Sequence, residues 1–154
     1  MPQPISRQIC DPASGGWGKG AIMARAFVLG LAYFGVVFAI GFAFGVVRVL
    51  YVAPQLGAIW AVSAEAPLML AASAVVCRWL LRKQAIGHGF AGVMGITALT
   101  LLLLAEAALS LAAGRSLGGH LALYAELPHQ IGFAAQIGFA LLPQLFARPS
   151  ATSA

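Results

Sequence analysis

Four side chains in this chain carry chemistry that an apolar sequence does not need for packing: Arg48, Glu65, Glu106 and Gln136. A carboxyl group relays a proton or holds a cation, a guanidinium neutralises it, and a carboxamide both donates and accepts. Glu106 sits inside an apolar run, eight residues before Gly114. At about 1.5 Å per residue that places it roughly 12 Å below a helix end, well inside a hydrocarbon layer of about 30 Å. An acid at that depth costs about 3 kcal/mol on insertion scales, so it must face other helices and either hold a proton or find a partner. Gln136 lies eight residues after Pro128, which gives it nearly the same depth. A Glu106–Gln136 hydrogen bond is therefore the expected pairing, with Arg48 as the alternative ion partner.

Arg48 and Glu65 flank a polar turn and can pair across it. The competing expectation is that Arg48 reaches to the headgroups while Glu65 only serves a helix start. For Glu106 the chemical reading is a proton relay or cation site. The structural reading is polar glue between helices, worth about 0.6 kcal/mol and at most about 2. His120, Glu126 and His129 are suitable zinc ligands in principle, but their loose spacing assigns no metal, and no cofactor is expected. No nucleotide loop, nucleophile elbow, HExxH or paired-carboxylate motif occurs, so the expectation is a non-enzymatic protein.

The elements that must position these residues are apolar helices. With 61% hydrophobic and 8% charged residues, the chain is far from the soluble average of about 25% charged. Its apolar material divides into four runs, about 26–50, 63–82, 90–113 and 128–147, each near the roughly 20 residues of a membrane crossing. The expected fold class is all-α, an integral membrane four-helix bundle. Residues 22–147 form its single domain, between a flexible tail 1–21 rich in proline and glycine and a second flexible tail 148–154. Ser63 is the expected N-cap of the second helix, with Glu65 and Pro67 in its first turn. The third opens on small residues, Ala91, Gly92, Gly95 and Ala98. In the first, Gly41 and Gly45 form GFAFG, a GxxxG spacing that lets two helix backbones approach, within the chain or across a dimer.

Lys and Arg collect on the cytoplasmic side of membrane proteins. With four spans, Arg7, Lys19, Arg25, Arg78, Arg82, Lys83 and Arg148 share one side and Arg48 and Arg115 the other. That division predicts both termini in the cytoplasm. It also accounts for the net charge of +5 without nucleic acid, for which no base-reading motif exists. Cys10 and Cys77 lie in different regions and suggest no disulfide.

The stretch VRVLYVAPQLG, followed by AEAPLML and CRWLLRK, resembles a group of small uncharacterised four-helix bacterial inner-membrane proteins. The matching residues are Arg48, Pro54, Leu56, Gly57, Glu65, Pro67, Met69, Arg78 and Trp79. The resemblance implies a multi-pass protein of the bacterial inner membrane. The expected function is an accessory or structural subunit of a larger inner-membrane complex, in contact with lipid and with other subunits or a second copy through helix one. The alternative is a small oligomeric transporter or proton-coupled channel that uses Glu106.

Overall fold

A computed structural model describes residues 16–82 and 87–147, and among these there is helix but no strand. The order is α1 (Gly16–Val47), a π-helical turn (Arg48–Val52), α2 (Ala53–Leu56), α3 (Ala58–Leu81), α4 (His88–Ala112), α5 (Leu117–Ala122), a 3-10 turn (Leu123–Ala125) and α6 (Leu127–Phe146). Of the expected tails, residues 1–15 and 148–154 lie outside the described residues, as does Lys83, while residues 16–21 belong to α1. Three helical stretches are long and apolar enough to cross a membrane: Gly20–Leu56, Ala58–Leu81 and His88–Ala112. Their outward faces carry large apolar side chains such as Phe27, Val75, Ile96 and Leu104, a surface suited to hydrocarbon rather than water.

Proline and glycine explain the interruptions. Pro54 has no N–H to return to the carbonyl one turn earlier. The turn before it widens, and the Ala53 N–H reaches back to the Arg48 carbonyl, the five-residue spacing of a π-helix. Gly57, at φ 82°, then reverses the chain in a region open to glycine. The second long helix accordingly starts at Ala58, with Gly57 as its N-cap and no side-chain cap. This corrects the expected start at Ser63: the reversal at Gly57 lets helical bonding begin at once, so Ser63, Glu65 and Pro67 all lie within α3.

The four long helices alternate in direction and pack around a closed circuit, α1 on α4, α4 on α6, α6 on α3 and α3 on α1. Although α3 and α4 are consecutive, they lie across a diagonal. The α1–α4 and α3–α6 interfaces are the most extensive and the α1–α3 seam is the loosest.

Two kinds of contact hold the circuit. One is close backbone approach through small residues. The buried face of α4 is Ala91, Gly92, Met94, Gly95 and Ala98, the small-residue opening seen in the sequence. A Cβ added at Gly95 would overlap the Ala140 carbonyl oxygen of α6, and one at Gly30 of α1 would lie 2.8 Å from the Met94 carbonyl oxygen. By contrast, Gly45 faces open space and a Cβ at Gly41 would meet only the Met69 methyl, at 3.1 Å. Within the chain, the close approach therefore belongs to Gly30 and Gly95 and not to the GFAFG pair.

The other contact spans the α1–α6 diagonal. Tyr33 and Phe139 stack with ring centroids 4.4 Å apart, and the Tyr33 hydroxyl donates to the Phe139 carbonyl at 3.1 Å. That carbonyl would ordinarily accept from the residue four further on, which is the buried Pro143 and has no N–H. The tyrosine replaces the missing bond and plugs the bundle axis. On the Arg78 side of the plug lies the dry core of Cys77, Leu81, Ala91, Met94 and Ala98. On the Arg48 side the bundle opens.

Candidate functional site

The end of α1, the beginning of α3, the end of α4 and the beginning of α6 surround a cavity of about 650 Å³. Pockets for small molecules run from about 300 to 1,000 Å³. Its floor includes Phe139, Ser73 and Val37, and its wall on α1 runs through Phe38, Gly41, Phe42 and Gly45. Arg48, Glu65, Glu106 and Gln136 all line it. Four polar side chains from four parts of the chain thus share one largely apolar chamber.

Each is delivered by a local feature. Arg48 opens the π-helical turn, where the widened spacing rotates the following residues relative to an α-helix. Glu65 comes from α3, two turns after Gly57. Arg48 Nε and Glu65 Oε2 lie 2.5 Å apart, with side chains 33% and 17% exposed. Opposite charges in direct contact define the pair. The Arg48–Glu65 pair across the turn is formed, and Arg48 is not the ion partner of Glu106.

Gln136 Nε2 donates to Glu106 Oε1 at 2.6 Å, joining α4 to α6 at the depth where the residue count places both. Gln136 Oε1 is buried without a partner. Glu106 Oε2 receives no hydrogen bond among the described residues and is not sealed off.

The three zinc candidates are not brought together. His129 Nδ1 lies 3.6 Å from Glu126 Oε2, whereas the buried His120 packs edge-on against Tyr124, with ring centroids 5.7 Å apart. No group of three metal-ligating side chains forms among the described residues. Burial, and next the charge of Glu106, hold the Tyr124 phenol above its ordinary pKa. A second, more apolar groove of about 850 Å³ lies between α4, α5 and α6, lined by Leu103, Leu121, Phe133 and His120 among others.

Residue types alone gave no sign of the aromatic part of the site. Phe38 and Phe42 line the cavity and continue a ladder that starts at Phe34 along α1, with centroid separations of 5.3 and 6.4 Å. Their four-residue spacing is visible in the sequence, but an all-apolar helix does not reveal which side turns inward. The Tyr33–Phe139 plug had a readable clue in Pro143, which frees the carbonyl four residues earlier. No protein-family model, curated protein or solved structure matches the chain.

Proposed function

We propose that this is a four-span protein of the bacterial inner membrane, with both termini cytoplasmic, whose hollow half binds a small molecule in the course of transport. The observation that carries this reading is the convergence of Arg48, Glu65, Glu106 and Gln136 on one chamber of about 650 Å³. Polar groups serving only as helix glue would be packed against each other without room beside them.

α6 supplies the fourth span. It has 20 residues, about 30 Å of helix, and packs along α3 and α4. Its mean hydropathy is lowered by Pro128, His129, Gln130, Gln136, Pro143 and Gln144. Gln136 and Pro143 are turned toward other helices rather than outward, which a crossing helix tolerates. The orientation rests on the division of Lys and Arg and places the chamber toward the outer face.

In the transport cycle Glu106 is the charge-bearing group, Gln136 fixes its carboxyl, and the Arg48–Glu65 pair forms a neutral rim. Reconstitution into proteoliposomes tests this. Flux through the wild type that is lost on Glu106→Gln supports the assignment, and flux that survives Glu106→Ala removes it.

A second reading, an accessory subunit of a larger inner-membrane complex, draws on the length of helix one. The apolar stretch Gly20–Leu56 has 37 residues, about 55 Å at 1.5 Å per residue, against a hydrocarbon layer of about 30 Å. The excess offers a partner an extended surface. Stoichiometric co-purification in mild detergent favours this reading, and a monodisperse protein without partners counts against it.

A further inference from the structure

We infer that the chamber takes a hydrophobic organic cation, with the Glu106 carboxylate meeting its charge and Phe38, Phe42 and Phe139 enclosing its apolar body. This rests on the reading of the chamber as a ligand site and names the ligand's class.

The first support is the balance of charge. Arg48 lies against Glu65, so those two cancel. Glu106 has only the neutral Gln136 amide beside it. Among the described residues the ion pairs are Arg48–Glu65 and His129–Glu126, so no cation lies within ion-pair distance of Glu106. The other titratable groups at this end are Tyr51 in the turn after α1, Arg115 between α4 and α5, His120 on α5, Tyr124 after it, Glu126 before α6 and His129 on α6. None of them bonds to Glu106. Glu106 therefore has no ion-pair partner among the described residues.

The second support is geometric. Gln136 occupies Oε1 of Glu106 and leaves Oε2 without a protein donor. A ligand ammonium can donate to that oxygen, and a quaternary cation can rest beside it. Phe38, Phe42 and Phe139 line the same space, and aromatic faces attract a cation within about 6 Å of the ring centroid. An anionic ligand would face Glu106 with Arg48 already neutralised. A neutral ligand would strip water from the carboxylate and return nothing for it.

The test uses the full-length protein in phosphatidylcholine nanodiscs, with empty nanodiscs subtracted. The probes are tetraphenylphosphonium and tetraphenylborate, ions of nearly the same size and shape but opposite charge. Expected is saturable binding of the cation, at least tenfold tighter than the anion, weakened at least tenfold by Glu106→Gln. Gly45→Leu, which places a side chain in the open wall, where an added Cβ meets nothing within 4 Å, should also weaken it at least tenfold. That variant and the wild-type charge preference remain decisive if Glu106→Gln does not fold. Anion binding as tight as cation binding, or cation binding unchanged by Glu106→Gln in a monodisperse sample, overturns the cation assignment and leaves the chamber as a ligand site for another class. Binding unaffected by Gly45→Leu places the site elsewhere. Saturable binding of neither ion overturns the cation class, and proteoliposome flux lost on Glu106→Gln would show that the transport reading survives it.

Discussion

The two halves of the bundle on either side of the Tyr33–Phe139 stack are built from the same residue vocabulary to opposite effect. On the Arg78 side, glycine and alanine bring backbones together, and Cys77, Met94 and Leu81 fill what remains. On the Arg48 side, Gly45 faces a void, Gly41 meets only the end of the Met69 side chain, and the four polar groups sit around the same space. A glycine in an apolar helix therefore means close packing or empty space depending only on what stands opposite. The dry half supplies rigidity, and that rigidity lets the other half hold a chamber without collapsing.

The sharpest way to break this contrast is a matched pair of substitutions. Gly95→Leu drives a side chain into the α6 backbone and should cost about 3 kcal/mol or prevent assembly, given that overpacking costs about 1–3 kcal/mol where neighbours can still yield. Gly45→Leu should change stability by less than about 0.5 kcal/mol, the range of substitutions that disturb no packing. Thermal unfolding followed by size-exclusion chromatography in detergent measures both, and equal losses would abolish the distinction between the halves.

Next in size is the rim. Arg48→Ala leaves Glu65 unpaired. Removing one member of a fully buried pair costs about 3–5 kcal/mol, but these side chains are partly exposed and solvent reduces the loss to about 1–2 kcal/mol. The double variant Arg48→Ala/Glu65→Ala should recover most of it, since no orphaned charge remains. A coupling near zero in that cycle would show the pair to be incidental.

The plug gives a smaller effect with a specific rescue. Tyr33→Phe keeps the ring stack and removes the donor to the Phe139 carbonyl, at about 1 kcal/mol. Pro143→Ala supplies a helical N–H to that carbonyl, so Tyr33→Phe should cost little in that background. Failure of the rescue would separate the tyrosine from the proline. The smallest change in stability is expected for Glu106→Gln, at about 0.6 kcal/mol for an interhelical hydrogen bond, although the same substitution should abolish flux. A stability loss much larger than this would make Glu106 a packing residue.

Much of this could be read along the chain wherever the controlling quantity is one-dimensional. Helix rise is constant, so counting eight residues from Gly114 and eight from Pro128 puts Glu106 and Gln136 at one depth, and the two are bonded. The start of α3 was misjudged because Ser63, Glu65 and Pro67 form a plausible cap together. A stronger local signal, Gly57 with its positive φ, had already started the helix. The GFAFG motif is a different case: within the chain a Cβ at Gly41 would meet only the Met69 methyl and Gly45 has no neighbour, because the spacing states that a close approach is possible and not which helix makes it.

The sequence by itself pointed to helices and to four apolar runs, three of which lie in helices long and apolar enough to cross a membrane, and it set how far Glu106 and Gln136 lie from their helix ends, because hydropathy and rise are properties of consecutive residues. Only the tertiary structure decided the rotation of each helix about its axis and which helices are neighbours. Helices that are apolar all round give hydrocarbon and protein interior almost equal claim to every face. The choice falls to shape, to the close approach of Gly95 to Ala140, the carbonyl freed by Pro143 and the ring that fills its place. Those contacts turn Arg48, Glu65, Glu106 and Gln136 toward a common space.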